Sequence, residues 1–187
     1  MANEVLLKSG DQYVFADHVT DFSTTPATAA NNLTFASNTQ VDFDLTGVAA
    51  SGGARASDKM ALPNPWGRYW SLDACLEFET APTDGGTVHF YWGASPAAAA
   101  ATGNPGGLTG TDAAVTDTTG ILGQLLQIGS MTVRNNVINI GHVGVFMPVY
   151  LQGILVVVNQ ASTALRSTAT AMDETHIVLT EIIDEIQ

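Results

Sequence analysis

The four histidines are the residues of this sequence most suited to acid–base chemistry or to metal binding, and their spacing favours neither. His18, His89, His142 and His176 lie far apart, and none stands in a His-x-x-x-His or His-Glu-x-x-His frame. Such frames place two imidazoles on one helix face, where they can hold zinc. We therefore expect no metal site and no catalytic histidine.

Two pairs of carboxylates are spaced for one face of a strand, because alternate residues of a strand point to the same side. The pairs are Asp42 with Asp44 and Glu77 with Glu79. Calcium takes roughly 6–8 oxygen ligands, and no Asp-x-Asp-x-Asp-Gly loop is present. A hydrolase with two carboxyl groups facing each other across a cleft stays open as an alternative. Solvated strand faces are the simpler interpretation.

Motifs for nucleophilic catalysis and for nucleotide binding are absent from the sequence. No serine lies in a Gly-x-Ser-x-Gly elbow, and the stretch Gly103-Asn-Pro-Gly-Gly is not followed by lysine. That stretch is typical of a turn rather than a phosphate-binding loop. We predict that the protein is not an enzyme and that it uses no cofactor.

The elements that position these residues are strands, because the dominant apolar period is two. Even-numbered residues from Trp70 to Phe78 are apolar, and Val88, Phe90 and Trp92 repeat the pattern after the turn residues 81–86. We predict that these two strands form a hairpin and that Trp70 and Trp92 face the core.

Further short apolar segments complete an all-β pattern, and the last four predict a meander of strands. They are residues 12–16, 32–36, 40–45, 125–133, 137–149, 151–159 and 175–183. Gly141 and Gly144 predict a bulge or a close backbone approach, and residues 119–127 are the one helical candidate.

The predicted fold is a jelly-roll-like antiparallel β-sandwich, one domain over residues 1–187, with residues 1–36 a candidate arm. Residues 46–66 and 93–120 are rich in Ala, Gly, Ser, Thr and Pro and are predicted to be long loops. They are either contact loops of a subunit or surface loops without a partner.

Several residues are candidates for an interface with other chains. The C-terminal strand is apolar on both faces, so it is either central in a sheet or an edge that pairs with a neighbouring subunit. Exposed aromatic residues could instead stack on sugar rings, which leaves a carbohydrate-binding module as an alternative. The candidate interface residues are Trp66, Tyr69, Tyr91, Ile177, Leu179 and Ile183.

Composition limits the partners. Charged residues make up 13% of the chain, about half the usual share, and small neutral side chains are buried more cheaply in an interface. The formal net charge of −12 disfavours nucleic acid as a partner.

The longest apolar run, residues 154–158, is too short for a membrane helix. The single Cys75 and the absence of a visible signal peptide indicate synthesis in a reducing compartment.

Five segments resemble a family of small virion proteins of tailed bacteriophages, and the resemblance covers roughly residues 69–187. The segments are His89-Phe-Tyr-Trp-Gly-Ala-Ser-Pro, Gly103-Asn-Pro-Gly-Gly-Leu, Val143-Gly-Val-Phe-Met-Pro, Gly153-Ile-Leu-Val-Val-Val-Asn and Ile183-Asp-Glu-Ile-Gln. These motifs are structural rather than catalytic, so no active-site residues carry over.

The resemblance implies a capsid decoration, or cement, protein. Such a protein is expected to be a β-sandwich that is made in the host cytoplasm, forms a homo-oligomer, typically a trimer, and binds the major capsid protein on the capsid exterior. A tail, adaptor or head-fibre component of the virion is the alternative.

Overall fold

In the part of the chain that the structure describes, the strands form two sheets. The computed structural model describes residues 5–16, 38–64, 67–166 and 175–186. The first sheet contains, in spatial order, β2 (Asn38–Asp42), β1 (Val5–Ala16), β11 (His176–Ile186), β5 (Tyr69–Glu77) and β9 (Ile138–Phe146). The second contains β7 (Ala113–Ala114), β3 (Gly53–Ala56), β10 (Gln152–Asn159), β6 (Thr87–Ser95) and β8 (Leu126–Thr132), and β4 (Met60–Ala61) also pairs with β10.

The two sheets pack as a sandwich, which confirms the predicted all-β sandwich class. The pairing is nested along the chain: β1 pairs with β11, β3 with β10, β5 with β9 and β6 with β8, all antiparallel. β1 and β2 pair in parallel. The first and last strands therefore lie side by side, and β3, β5 and β6 pair with β10, β9 and β8 further inward.

The main core lies between the sheets, as the alternation in the sequence predicts. The even-numbered residues of β5 from Trp70 to Leu76 are fully buried, and Val88, Phe90 and Trp92 of β6 meet them from the other sheet. Burying a large apolar side chain contributes about 1.5–3 kcal/mol, so this shared cluster holds the two layers together.

The predicted hairpin of β5 and β6 is wrong, and so is the predicted C-terminal meander. β5 pairs with β9 and β11, whereas β6 pairs with β8 and β10 in the other sheet. The chain alternates between sheets from β8 to β11. Alternation shows which side chains face the core, but two sheets share that core, so it does not select the partner strand.

β11 occupies the centre of its sheet, between β1 and β5. Ile177 and Leu179 are fully buried in the main core, so their prediction as interface residues is wrong: a strand in this position packs its inner face against the opposite sheet. Val5–Ala16 likewise pairs with β11 and β2 rather than forming an arm. The rest of the 1–36 segment, with the predicted strand 32–36, lies outside the described residues.

The connection between β6 and β8 folds over the outer face of the second sheet. It contains a 3₁₀ helix (Pro105–Gly107), β7, a short helix α1 (Thr118–Ile121) and a second 3₁₀ turn (Leu122–Gln124), so the helical candidate is confirmed only in part. A second apolar cluster forms beneath it. Its buried members are Ala54, Ala56, Leu108, Ile121, Ile154, Val156 and Val158.

The predicted irregularity in β9 is confirmed. The register with β5 shifts between Leu72 and Asp73, which pair with Gly144 and His142 and leave Val143 as an extra residue. The backbones of β8 and β9 also approach closely, because a Cβ on Gly129 would overlap the carbonyl oxygen of Val143. Glycine is therefore required at position 129 for the β8 edge of one sheet to approach the β9 edge of the other.

Candidate interaction surface

Exposed large apolar side chains are concentrated on β9 and the loop that follows it. We call this set the β9 surface. It consists of Tyr69, Ile140, Val145, Met147, Val149 and Tyr150, which are 37% to 65% exposed. Because these exposed apolar side chains are grouped on neighbouring strands and the following loop, the surface is a candidate for contact with another molecule.

Strand position and the bulge together create this surface. β9 is an edge strand, and Phe146 points inward while its neighbours Val145 and Met147 point outward. Phe146 pairs with Trp70, so the adjacent Tyr69 lies at the same end of the sheet. Arg68 stacks on the Tyr69 ring, with 5.3 Å between the guanidinium carbon and the ring centroid.

One polar cluster lies among these apolar residues. His142 Nδ1 is 3.0 Å from Asp73 Oδ1, and Ser71 Oγ is 3.5 Å from the same nitrogen. A serine-hydrolase triad needs serine and aspartate on opposite nitrogens of the imidazole. Here the Ser71 hydroxyl and the Asp73 carboxylate both contact Nδ1 of His142. The cluster is therefore a cross-strand polar contact and not a nucleophile with its base.

The candidate interface residues of the sequence do not form one site. Tyr69 belongs to the β9 surface, whereas Tyr91 lies on β6 in the other sheet and packs half-buried against the second cluster. Burial raises the pKa of the Tyr91 phenol above its usual value. Ile183 is half-buried on β11, and Trp66 lies outside the described residues. Tyr69 and Tyr91 therefore do not share a sugar-stacking platform.

The carboxylate pairs differ in their surroundings, because Glu79 is exposed, Asp42 and Asp44 are half-buried and Glu77 is buried. Glu77 is buried and forms an ion pair with Arg166, which corrects its assignment to a solvated face. Asp44 approaches Arg55 at 3.3 Å. Within the described ranges, no group of three or more His, Cys, Asp or Glu side chains could hold a metal ion.

Sequence reasoning missed Val145, Met147, Val149 and Tyr150. Their signal is present in the segment 145–150, where five of six residues are large and apolar and the sixth is proline. A regular strand pattern does not produce such a run. Apolar residues clustered at a strand end and in a turn are a sign of exposure that strand alternation alone does not report.

Comparisons with protein-family models, with curated proteins and with solved structures found no match. Among the described residues, no helix has the length and apolar character needed to cross a membrane.

Proposed function

We propose that this chain is a structural protein of a tailed-bacteriophage virion, of the capsid-decoration type. It forms a homo-oligomer, a trimer in the simplest case, on the outside of the shell and bridges subunits of the major capsid protein. It is made in the host cytoplasm and acts by binding alone, without catalysis. A tail, adaptor or head-fibre position in the same particle is the alternative.

The β9 surface is the observation that carries this proposal. Val145, Met147 and Tyr150 are each about half exposed, so covering them with a neighbouring chain gains free energy in proportion to the apolar area removed from water. Two polar side chains within the surface, Asp73 and His142, already contact each other at 3.0 Å. A partner that covers these two side chains therefore leaves neither without a hydrogen-bond partner.

The strand arrangement also supports the proposal. Nested pairing of first with last strands across two sheets is the pattern of a jelly roll, and we infer that fold here. Jelly rolls are common in viral capsid and lectin domains. A lectin-like function has less support, because Tyr69 and Tyr91 lie on different sheets.

A decoration protein stabilises a shell because it binds the assembled state and not the free subunits. The test is to remove the protein from particles, restore it as purified wild type or as Val145→Asp, and measure the temperature at which the genome is released. We expect wild type to restore heat resistance and Val145→Asp to fail. Thr119→Asp, at an exposed site on the connection that covers the second sheet, is the matched control.

Unchanged heat resistance after removal of the protein would overturn the cementing role. Density for the chain on the tail or on a head fibre, seen in a reconstruction of the intact particle, would replace decoration by the alternative position.

A further inference from the structure

Two exposed arginines lie at opposite ends of β9. Arg68 stacks on Tyr69, which lies beside the last residues of the strand. At the other end, the backbone N–H of Arg134 donates to Asn139 Oδ1 at 2.7 Å. Neither arginine forms an ion pair within the described part of the chain. Their charges therefore stay available to another molecule.

The apolar part of the β9 surface is largest at the Arg68 end. Four side chains there are 47% to 65% exposed, namely Val145, Met147, Val149 and Tyr150. Asp73, a carboxylate within the surface, already contacts His142. Asp84 lies at the other end, where it accepts the N–H of Asn135. Among the described residues, Arg68 is thus a cation without an ion pair at the border of an exposed apolar area.

The opposite side of the sandwich carries a group of carboxylates around one guanidinium. β2 and β9 are the outer strands of the first sheet, so four strand spacings of about 4.8 Å separate them. Arg55 contacts Asp112 at 2.7 Å and Asp44 at 3.3 Å. Asp58 accepts the N–H of Asp112 at 2.6 Å and donates its own N–H to the carbonyl oxygen of Asp42. We call these four aspartates with Arg55 the carboxylate corner.

The carboxylate corner is partly exposed and has a small neighbour. The side chains of Asp44 and Arg55 are 31% and 23% exposed. Ala114 of β7, which pairs with Arg55, is exposed as well. Carboxylates outnumber cations in this group, so it attracts a further positive charge. An apolar surface that approaches it meets the Ala114 methyl group rather than a long polar side chain.

Neither surface is suited to contact its own copy. A two-fold axis through the apolar end of the β9 surface brings two Arg68 side chains together, and one through the carboxylate corner brings carboxylates together. Like charges that face each other in an interface are unfavourable. A β9 surface against a carboxylate corner pairs opposite charges instead. Because the two surfaces lie on opposite sides of the fold, this contact is head-to-tail, and head-to-tail contacts can close into rings.

We propose that the β9 surface of one copy binds the carboxylate corner of the next copy, so that the chain assembles into a closed ring. The inference rests on the proposed function and names the two surfaces that join its homo-oligomer. In this contact Arg68 lies against Asp44 and its neighbouring carboxylates, and the exposed apolar side chains of the β9 surface cover Ala114 and the β7 edge. Three copies form the ring in the simplest case.

Sedimentation velocity of the full chain over a range of concentrations measures this association. We expect Arg68→Glu to weaken it at least about tenfold, because a repulsion replaces an attraction. Asp44→Asn removes one charge of the corner but keeps the oxygen that accepts the Thr46 N–H, and it should weaken association about threefold. Asp11→Asn, the same change at an exposed site on β1, should associate like wild type.

A mixture of two blocked variants tests which surfaces meet. Val145→Asp places a carboxylate in the β9 surface, and Asp44→Asn combined with Ala114→Lys removes the negative charge and adds a positive charge at the corner. Each variant alone should be a monomer. Their equimolar mixture should form a dimer, because one chain keeps its corner and the other keeps its β9 surface. Far-UV circular dichroism and the urea midpoint check that both variants are folded.

A wild-type chain that stays monomeric at every concentration contradicts the proposal. Self-association of the corner variant on its own, without a dimer in the mixture, also contradicts it, since the β9 surface then meets its own copy. The heat resistance of particles is a separate readout. Rings that leave heat resistance unchanged remove the decoration role and keep the ring, whereas a monomer that restores heat resistance removes the ring and keeps the decoration role.

Discussion

Arg55 and Asp112 form a bidentate ion pair, in which Nε and Nη2 of the guanidinium each donate to a carboxylate oxygen at 2.7 Å. Asp112 also accepts from the backbone N–H of Asp44, which follows β2, at 3.0 Å. The pair therefore ties the β2 edge of the first sheet to the β7 edge of the second. Hydrogen bonding to Asp112 raises the pKa of Arg55.

Arg55→Met is expected to lower the free energy of unfolding by about 1–3 kcal/mol, since it leaves the Asp112 carboxylate beside Asp44 without its cation. Urea unfolding followed by tryptophan fluorescence measures this loss. Arg134→Met removes the same charge from an exposed side chain and should change stability by less than about 0.5 kcal/mol. Equal urea midpoints for the two variants would show that the ion pair does not stabilise the contact between the β2 and β7 edges.

Gly153 of β10 lies against the indole ring of Trp92, and a Cβ at position 153 would overlap the ring atoms. Trp92 is fully buried and packs on Phe146 with 5.4 Å between ring centroids. Gly153→Ala should therefore cost stability at the upper end of roughly 1–3 kcal/mol. Gly123→Ala, which adds the same methyl group in open space, is the control in the same urea titration. A neutral Gly153→Ala would mean that the ring moves aside freely.

The sequence predicts which residues enter the core but not how the strands pair. Trp70 and Trp92 follow from alternation, because a half-buried strand repeats every two residues. The ion pair of Arg55 and Asp112 joins residues 57 positions apart, and no local pattern reports such a contact.

Alternation in the sequence does not predict the β9 surface, for a different reason. The extra residue Val143 reverses the phase of the strand, so Ile140 and His142 point outward before it and Val145 and Met147 after it. A single alternation applied to the whole segment assigns half of these residues to the wrong face.

Tyr13 makes the free energy of unfolding depend on pH in the alkaline range. Its pKa is raised from 10.0, first by burial and then by the charges of Asp11 and Glu181. A raised pKa means that the folded state holds the phenolic proton more tightly than the unfolded state does. The resulting stability is present below about pH 10 and is lost as the pH rises through the folded-state pKa.

Tyr13→Phe should therefore flatten the fall in unfolding free energy above about pH 10. Urea titrations at intervals between pH 8 and about pH 11 measure the slope. The slope does not vanish, because burial also raises the pKa of Tyr91. Identical slopes for wild type and Tyr13→Phe would contradict this assignment.

Glu181 places a carboxylate at the end of the core, where it is 5% exposed. It accepts hydrogen bonds from the backbone N–H groups of Asp11, at 3.2 Å, and of Gly67. Side chains at positions 10 and 67 would overlap it, so glycine at both positions gives the carboxylate its room. Glu181 thereby anchors the bulge of β1 and the segment that enters β5.

Glu181→Gln keeps the shape but replaces one charged acceptor by an amide, and it should cost about 1–2 kcal/mol; Glu181→Ala, which leaves both N–H groups without an acceptor, should cost about 2–4 kcal/mol. Hydrogen exchange gives the more specific result. In Glu181→Ala, the amides of Gly67 and Asp11 should lose more protection against exchange than the fall in global unfolding free energy explains. Amides in the centre of β10 should lose only as much as that fall. Uniform loss across all strands would indicate that Glu181 contributes only to overall stability and does not anchor these two segments.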